Sequence, residues 1–423
     1  MKDLLIKRAH VIDPAGPHHD QVVDVLVQEG RIARIGERIG KGEADVIEHE
    51  GLHLSPGWVD TGAAFRDPGE EHKEDVRSGL DAAASGGFTA VAVLPGTTPP
   101  IDGRSGVEYL LRKAEGHAVR LLPMGTVTAG GKGEQLAEMH DMAQAGAVLF
   151  TDDHLPIRNT RLMMLALQYT ANIGATVAVV PQDRHLSANG QMHEGPMSTR
   201  LGLRGIPSVA EAVALHRDLA LLDHTASRLH VALVSTAEGV ELIRQAKSRK
   251  LNVTASVAAH HLLLDDGCLR GYDSVYKVWP PLRDQPHIDA LREGVKDGTL
   301  DAVVSDHRPE DVEHKRVEFG QAAFGALGLE TAFAVANTAL RGHMSLRRIV
   351  ERFTHGPRRV LGLPLVHVQE HTAADLTLFD PTWDWTFTEA DIRSRSRNSP
   401  FLGQPLCGKA LGIVAGGQLR WNA

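Results

Sequence analysis

Between residues 58 and 305 strand-like and helix-like stretches alternate, and this alternation narrows the possible folds more than any other property of the chain. The strand candidates are Trp58–Ala63, Thr89–Leu94, Arg120–Gly125, Ala147–Thr151, Thr176–Val180, Arg228–Val234, Asn252–Val257 and Asp301–Ser305. Between them lie stretches with helical patterning: Val76–Ala84, Gly106–Lys113, Gly133–Gln144, Thr160–Asn172, Val209–Leu222, Ala237–Lys247 and Ile288–Lys296. Strand-then-helix repetition signals a parallel α/β sheet or barrel, and eight strands point to an α/β fold of (β/α)8 TIM-like type.

The two ends of the chain read differently. Short strands are expected at Leu4–Ile6, His10–Ile12, Val22–Gln28, Arg31–Ile35 and Val46–Glu48, with apolar-polar alternation through Val23-Asp24-Val25-Leu26-Val27 and a turn at Glu29-Gly30-Arg31. Ala374–Phe379 and Gly412–Trp421 are also strand-like, the second carrying Gly416-Gly417 as a hairpin turn. The expected division is therefore a small composite β domain made of residues 1–55 and 366–423, with the barrel spanning 56–365.

Composition excludes several partner classes. The net charge is −8 and aromatic residues make up 4%, which argues against nucleic acid, anionic membrane surfaces and base stacking. Mean hydropathy is −0.17 and no apolar run approaches the ~18 residues of a membrane span. The N-terminal Met1-Lys2-Asp3-Leu4-Leu5-Ile6-Lys7-Arg8 is too short and too charged to read as a secretory signal. Two cysteines, Cys268 and Cys407, offer neither a disulfide framework nor a thiolate metal site, so a cytoplasmic location is expected.

The most informative motif is Pro56-Gly57-Trp58-Val59-Asp60-Thr61-Gly62-Ala63-Ala64-Phe65-Arg66-Asp67-Pro68-Gly69. It resembles the dihydroorotases, cyclic-amide hydrolases of pyrimidine synthesis in the amidohydrolase superfamily, which read P-G-[FLW]-[IV]-D-x-H-x-H-[LF]-R-[DE]-P-G here. Both metal-ligand histidines of that pattern are replaced, by Gly62 and Ala64. Residues two apart on a strand share a face, so the face that carries imidazoles in the family would carry a hydrogen and a methyl group here.

The resemblance extends along nearly the whole chain, and other positions can be compared with the family pattern. Pro95-Gly96-Thr97-Thr98-Pro99-Pro100 keeps the turn of P-N-T-x-P-P without its substrate-binding Asn. Phe150-Thr151-Asp152-Asp153 matches F-[ST]-D-D, whose aspartate can stand where other branches have a carboxylated lysine. Val180 stands for the histidine of H-C-E-D, and Leu233 for the second histidine of H-x-C-H-V-S-T. Lys277-Val278-Trp279-Pro280-Pro281-Leu282-Arg283 has an indole in place of the family's asparagine. Asp306-His307-Arg308-Pro309-Glu310 keeps the general-base aspartate of D-H-A-P-H, with Arg308 replacing the alanine and Glu310 the substrate-contacting histidine.

All four histidine ligand positions, Gly62, Ala64, Val180 and Leu233, are thus non-ligating, leaving only Asp152 or Asp153 and Asp306 as acidic donors. Catalytic zinc generally takes three protein ligands, with nitrogen or sulfur preferred, so no metal cofactor is expected. No activated Ser or Cys nucleophile substitutes for a metal-bound hydroxide. The resemblance then implies a pseudo-dihydroorotase, with Asp306 a remnant general base and Arg66 a remnant contact for a substrate carboxylate. It also implies aspartate transcarbamoylase as partner in a homo- or hetero-oligomer.

Other readings remain open at this level. Asp306 can pair with Arg308, Arg66 or His307, and Arg66 with Asp67 or Asp306. Trp279 and Arg308 are expected to fill a disused pocket, because an open void is costly, about 24 cal/mol per Å³. The acidic-basic run Glu310–Arg316 reads as a solvated loop or a partner contact. An active dihydroorotase or related cyclic-amide hydrolase with an atypical site would need compensating ligands, for instance His185, His193 or His260 converging on the aspartates, and would then take zinc. A small-anion binding protein built around Arg66 is the remaining alternative.

Overall fold

Apolar-polar alternation at the N-terminus forms β1 (Leu4–Val11), β2 (Val22–Gln28), β3 (Arg31–Gly36), β4 (Asp45–Ile47) and β5 (His53–Pro56) in a computed structural model that describes residues 2–422. The two strands expected at Leu4–Ile6 and His10–Ile12 are one strand. Its pairing with β2 shifts register between Ile6 and Ala9, and Arg8 takes the left-handed conformation at φ 51°. Such a bulge lets one strand turn its side chains without ending.

The barrel follows: β6 (Trp58–Ala63), β7 (Phe88–Val93), β8 (Arg120–Gly125), β9 (Leu149–Phe150) and β10 (Val177–Val179). After the small parallel pair β11 (Met192–His193) and β12 (Gly205–Ile206) come β13 (Leu229–Val231), β14 (Val253–Ala258) and β15 (Ala302–Val304). Neighbours in the order β6 to β10, then β13 to β15, all pair in parallel, which bears out the expected eight strands. The helix expected over Gly133–Gln144 starts only at Met139 and runs to Ala145. Gly130, Gly131 and Gly133 all adopt positive φ, and a bridge between Thr128 and Leu136 takes that stretch out of the helix.

Both chain ends build the second sheet. β16 (Leu376–Thr386) pairs antiparallel with β5, then with β17 (Pro405–Ala415), which pairs with β18 (Gln418–Trp421) through a hairpin whose Gly416 and Gly417 have φ 56° and 68°. Two successive left-handed residues give the turn that matches strand twist, as predicted for Gly-Gly. Trp58 welds the two sheets. Its ring lies 4.5 Å from Phe333 and 5.2 Å from Phe379, and its indole N–H donates to Ser55 Oγ at 2.9 Å. Aromatic pairs of this kind add ~0.5–1.5 kcal/mol each beyond area burial.

The barrel closes through a side chain rather than a ladder alone. The Asp60 carboxylate on β6 accepts the Ser305 backbone N–H at 2.9 Å and the Ser305 hydroxyl at 2.6 Å, and Ala64 N–H donates to His307 O at 2.8 Å. Burial raises the Asp60 acid to about 7 despite these donors, against an ordinary value of 3.8. The folded chain then binds this proton more tightly than the unfolded chain, so Asp60 adds stability as pH falls from about 7 towards 4. An Asp60→Asn variant lacks this gain, so its slope of unfolding free energy against pH is expected to be more positive than that of wild type in that window. An unaltered slope in urea unfolding would rule out Asp60 as its source.

Candidate functional site

The C-terminal ends of the barrel strands converge on a mouth, where such barrels place their chemistry. Here the mouth is narrow and largely apolar. Gly62 at the end of β6, Val180 just after β10 and Leu233 after β13 line a cavity of about 30 Å³ together with Ala178, His230, Ser256 and Val304. That volume holds a water or two, where small-molecule pockets run to ~300–1,000 Å³. Val180, Leu233, Ala258 and Val304 pack as one apolar cluster, and Trp279 covers it. Leu233 adopts φ 56°, a left-handed conformation that ends the strand predicted to reach Val234. Ala64 is buried beyond the strand end and does not line the cavity.

Polar groups gather at one wall. Arg308 lies between two carboxylates: its Nη1 and Nη2 donate to Asp153 at 2.9 and 2.6 Å, and its Nε donates to Asp306 at 2.9 Å. Burial alone would raise the Asp153 acid, but Arg308, together with His154 and Arg66, outweighs it and holds the carboxyl well below the usual range. Burial prevails at Asp306, which is pushed up to about 6 although Arg308 pulls it down. Arg308 itself stays protonated, since the two carboxylates outweigh its desolvation. A planar fork therefore sits where a cation would neutralise this pair.

Of the two aspartates left open by sequence, Asp153 is the one at the mouth. Asp152 faces away and accepts the backbone N–H groups of Val127 and Thr128 at 2.8 and 3.0 Å. It braces the loop after β8 and is no donor to the site.

Arg66 pairs with neither Asp67 nor Asp306. Its Nη2 donates to Glu310, its Nε donates to Pro309 O at 3.2 Å, and Glu70 lies 3.6 Å away. Lys73 Nζ lies 2.9 Å from the other Glu310 oxygen and 2.7 Å from Glu70. Asp67 is taken instead by Lys113 at 2.8 Å and the Tyr109 hydroxyl at 2.7 Å. Glu310 thus places a carboxylate of the chain itself on the arginine that the resemblance assigns to a substrate carboxylate. The exchange of histidine for glutamate was visible in sequence, but its partner was not. Glu310 is accordingly buried and anchored, and the solvated-loop reading fails at that residue.

The histidines do not rebuild a ligand set. His260 Nε2 is 3.8 Å from Asp306 Oδ2 with no hydrogen-bond partner, and burial, with help from His261, keeps the ring neutral. His193 accepts from Arg283 Nη1 at 3.1 Å and does not line the cavity, and His185 is exposed in a turn held by Asp183. His307 turns to Glu74 at 3.4 Å rather than to Asp306. His154, which no sequence motif singles out, is half-buried 3.7 Å from Asp153, and its ring is pushed down to about 3 by desolvation and then by Arg308. Nothing local marks it, since it follows the Asp-Asp pair in an ordinary turn.

The donor set does not fit catalytic zinc. Among the described residues no three His, Cys, Asp or Glu ligand atoms meet at the mouth, and the carboxylates present are already engaged by a fixed cation. No membrane-spanning helix occurs among the described residues either.

Known proteins resemble this chain in architecture and in sequence. A model of the "Dihydro-orotase-like" family matches residues 51–239. A dihydroorotase of Pelotomaculum thermopropionicum is 43% identical over 418 residues, covering 98% of both chains. One of Anaeromyxobacter dehalogenans is 43% identical over 425 residues, covering 99% of this chain and 98% of its own. Among solved structures, the L-hydantoinase (dihydropyrimidinase) of Arthrobacter aurescens superposes with a TM-score of 0.86 at 26% identity, over 99% of this chain and 96% of that one.

Proposed function

We propose, from the premise that the chain belongs to the dihydroorotase family, that it is a catalytically silent member acting as a structural partner in pyrimidine biosynthesis. One observation carries the reading: the Arg308 guanidinium binds Asp153 and Asp306 at once, in a chain that has Gly62, Ala64, Val180 and Leu233 where the family pattern has its ligand histidines. Zinc supplies hydrolysis with hydroxide at neutral pH by lowering the pKa of bound water from 15.7 to ~7. Two carboxylates tied to an arginine offer no equivalent, and Asp306 hydrogen-bonded to Arg308 is poorly placed to take a proton from substrate. Cofactor-free existence at this site, a cytoplasmic location and assembly with aspartate transcarbamoylase complete the proposal.

The expected result is no hydrolysis of dihydroorotate above the enzyme-free blank by the purified full chain, with or without added Zn²⁺. Co-purification with the transcarbamoylase is expected in the same preparation. Metal-dependent turnover would overturn the silent reading, and failure to associate would overturn the partner reading. No observation favours the atypical active site, because His185 and His193 lie elsewhere and His260 alone approaches Asp306.

A further inference from the structure

Metal-type ligands do converge in this chain, but at the opposite end of the barrel. Helix His355–Val360 packs beneath β6: Val59 N–H donates to Phe353 O at 2.8 Å and Arg358 Nη1 donates to Gly57 O at 2.7 Å. These contacts fix the helix at the N-terminal end of β6, away from the mouth. Beside it lie Asp13, from the turn after β1, and His367, from the segment leading to β16. Asp13 is fully buried, and its Oδ2 accepts the Val368 backbone N–H at 2.8 Å. Its Oδ1 lies 3.2 Å from His367 Nδ1 and 3.9 Å from His355 Nε2. All three ligand atoms fall within 4.8 Å of one another.

A second observation points to a ligand. His355 is 6% exposed, and its Nε2, aimed at the carboxylate, has no hydrogen-bond partner. Buried polar atoms are normally satisfied, so an orphan at the centre of two imidazoles and a carboxylate calls for an occupant. Bonds of 2.0–2.1 Å in a tetrahedron place donors about 3.3–3.4 Å apart, between the two separations found here. Two imidazoles with one carboxylate suit zinc rather than Mg²⁺ or Ca²⁺, which prefer oxygen.

We propose that Asp13 Oδ1, His355 Nε2 and His367 Nδ1 form a zinc site that fastens the terminal sheet to the base of the barrel. The fourth position goes to water, because the His367 side chain is partly exposed. The Val368 N–H orients the carboxylate as an outer-shell donor. A similar cluster, His193, Asp284 and His287, lacks this competence. There His193 Nδ1 accepts from Arg283 and His287 Nδ1 accepts from Ala237 N–H, so both rings carry their proton on Nε2, directed at Asp284. A metal there would have to displace protons that no other atom takes up.

The test is Zn²⁺ titration of chelator-stripped full-length protein, counting bound metal and following thermal unfolding. Wild type is expected to bind about one equivalent and to unfold at a higher temperature when loaded. His355→Gln and His367→Gln are each expected to lose both effects, while Asp306→Asn keeps them. His367→Gln replaces a partly exposed side chain and so remains informative if the buried substitution prevents folding. No uptake by wild type, or full uptake by His367→Gln, overturns this site alone. Uptake abolished by Asp306→Asn overturns both this site and the silent reading of the mouth.

Discussion

Replacing Arg308 by alanine is expected to cost about 3–5 kcal/mol of folding stability at pH 7, the usual penalty for removing one partner of a buried ion pair. Asp153 and Asp306 would be left together in the barrel mouth without a counter-charge. In wild type the Asp153 carboxyl is held below its ordinary range, because Arg308, with His154 and Arg66, outweighs its burial. The stability it contributes is fully present above the unfolded value of 3.8 and disappears only as pH falls through the depressed folded value. In the variant, burial acts on both acids against only His154 and Arg66 at Asp153 and His307 at Asp306, and raises them, so they take up protons as pH falls. The deficit should therefore shrink steadily from pH 7 to about pH 4.5. Urea unfolding at the two pH values reads this directly, with Arg308→Met as a companion that retains most of the side-chain packing. An equal loss at both pH values would mean that Arg308 acts by filling space and not by charge.

Glu310→Ala is expected to cost about 2–3 kcal/mol, below the full penalty for a buried pair because Arg66 and Lys73 both keep Glu70 as a second partner. The variant should also regain part of that loss in the presence of a small carboxylate such as malonate, which wild type should ignore. Arg66 and Lys73 would then present an open anion seat where Glu310 now sits. Thermal unfolding with malonate and with an equal ionic strength of chloride separates specific binding from screening. If malonate stabilises variant and wild type equally, Glu310 is not covering an anion site.

These two substitutions mark the boundary of what could be read in advance. The exchange of alanine for Arg308 and of histidine for Glu310 was visible in one motif. Arg308 is one of three partners the sequence leaves open for Asp306, with Arg66 and His307, and its bidentate hold on Asp153 is not legible there at all. The Asp152-Asp153 pair could not be resolved, because neighbouring residues in a turn point differently according to backbone angles that composition does not reveal. Asp153 takes φ 55° and faces the guanidinium, while Asp152 turns to the backbone of the preceding loop.

The sequence by itself determined the eight-stranded barrel, the sheet shared by both ends, the glycine hairpin near the C-terminus and the absence of an imidazole at Gly62, Ala64, Val180 and Leu233. Each is written in local periodicity, in turn residues or in the identity of single side chains, none of which needs a distant partner. Tertiary structure alone decided the rest: Arg308 with Asp153 across 155 residues, Arg66 with Glu310 across 244, and Asp13 with His367 across 354. Ion pairs and ligand sets form between groups that closure of the barrel and docking of its terminal sheet bring within a few ångströms. That proximity is a property of the closed fold and leaves no periodic trace along the chain.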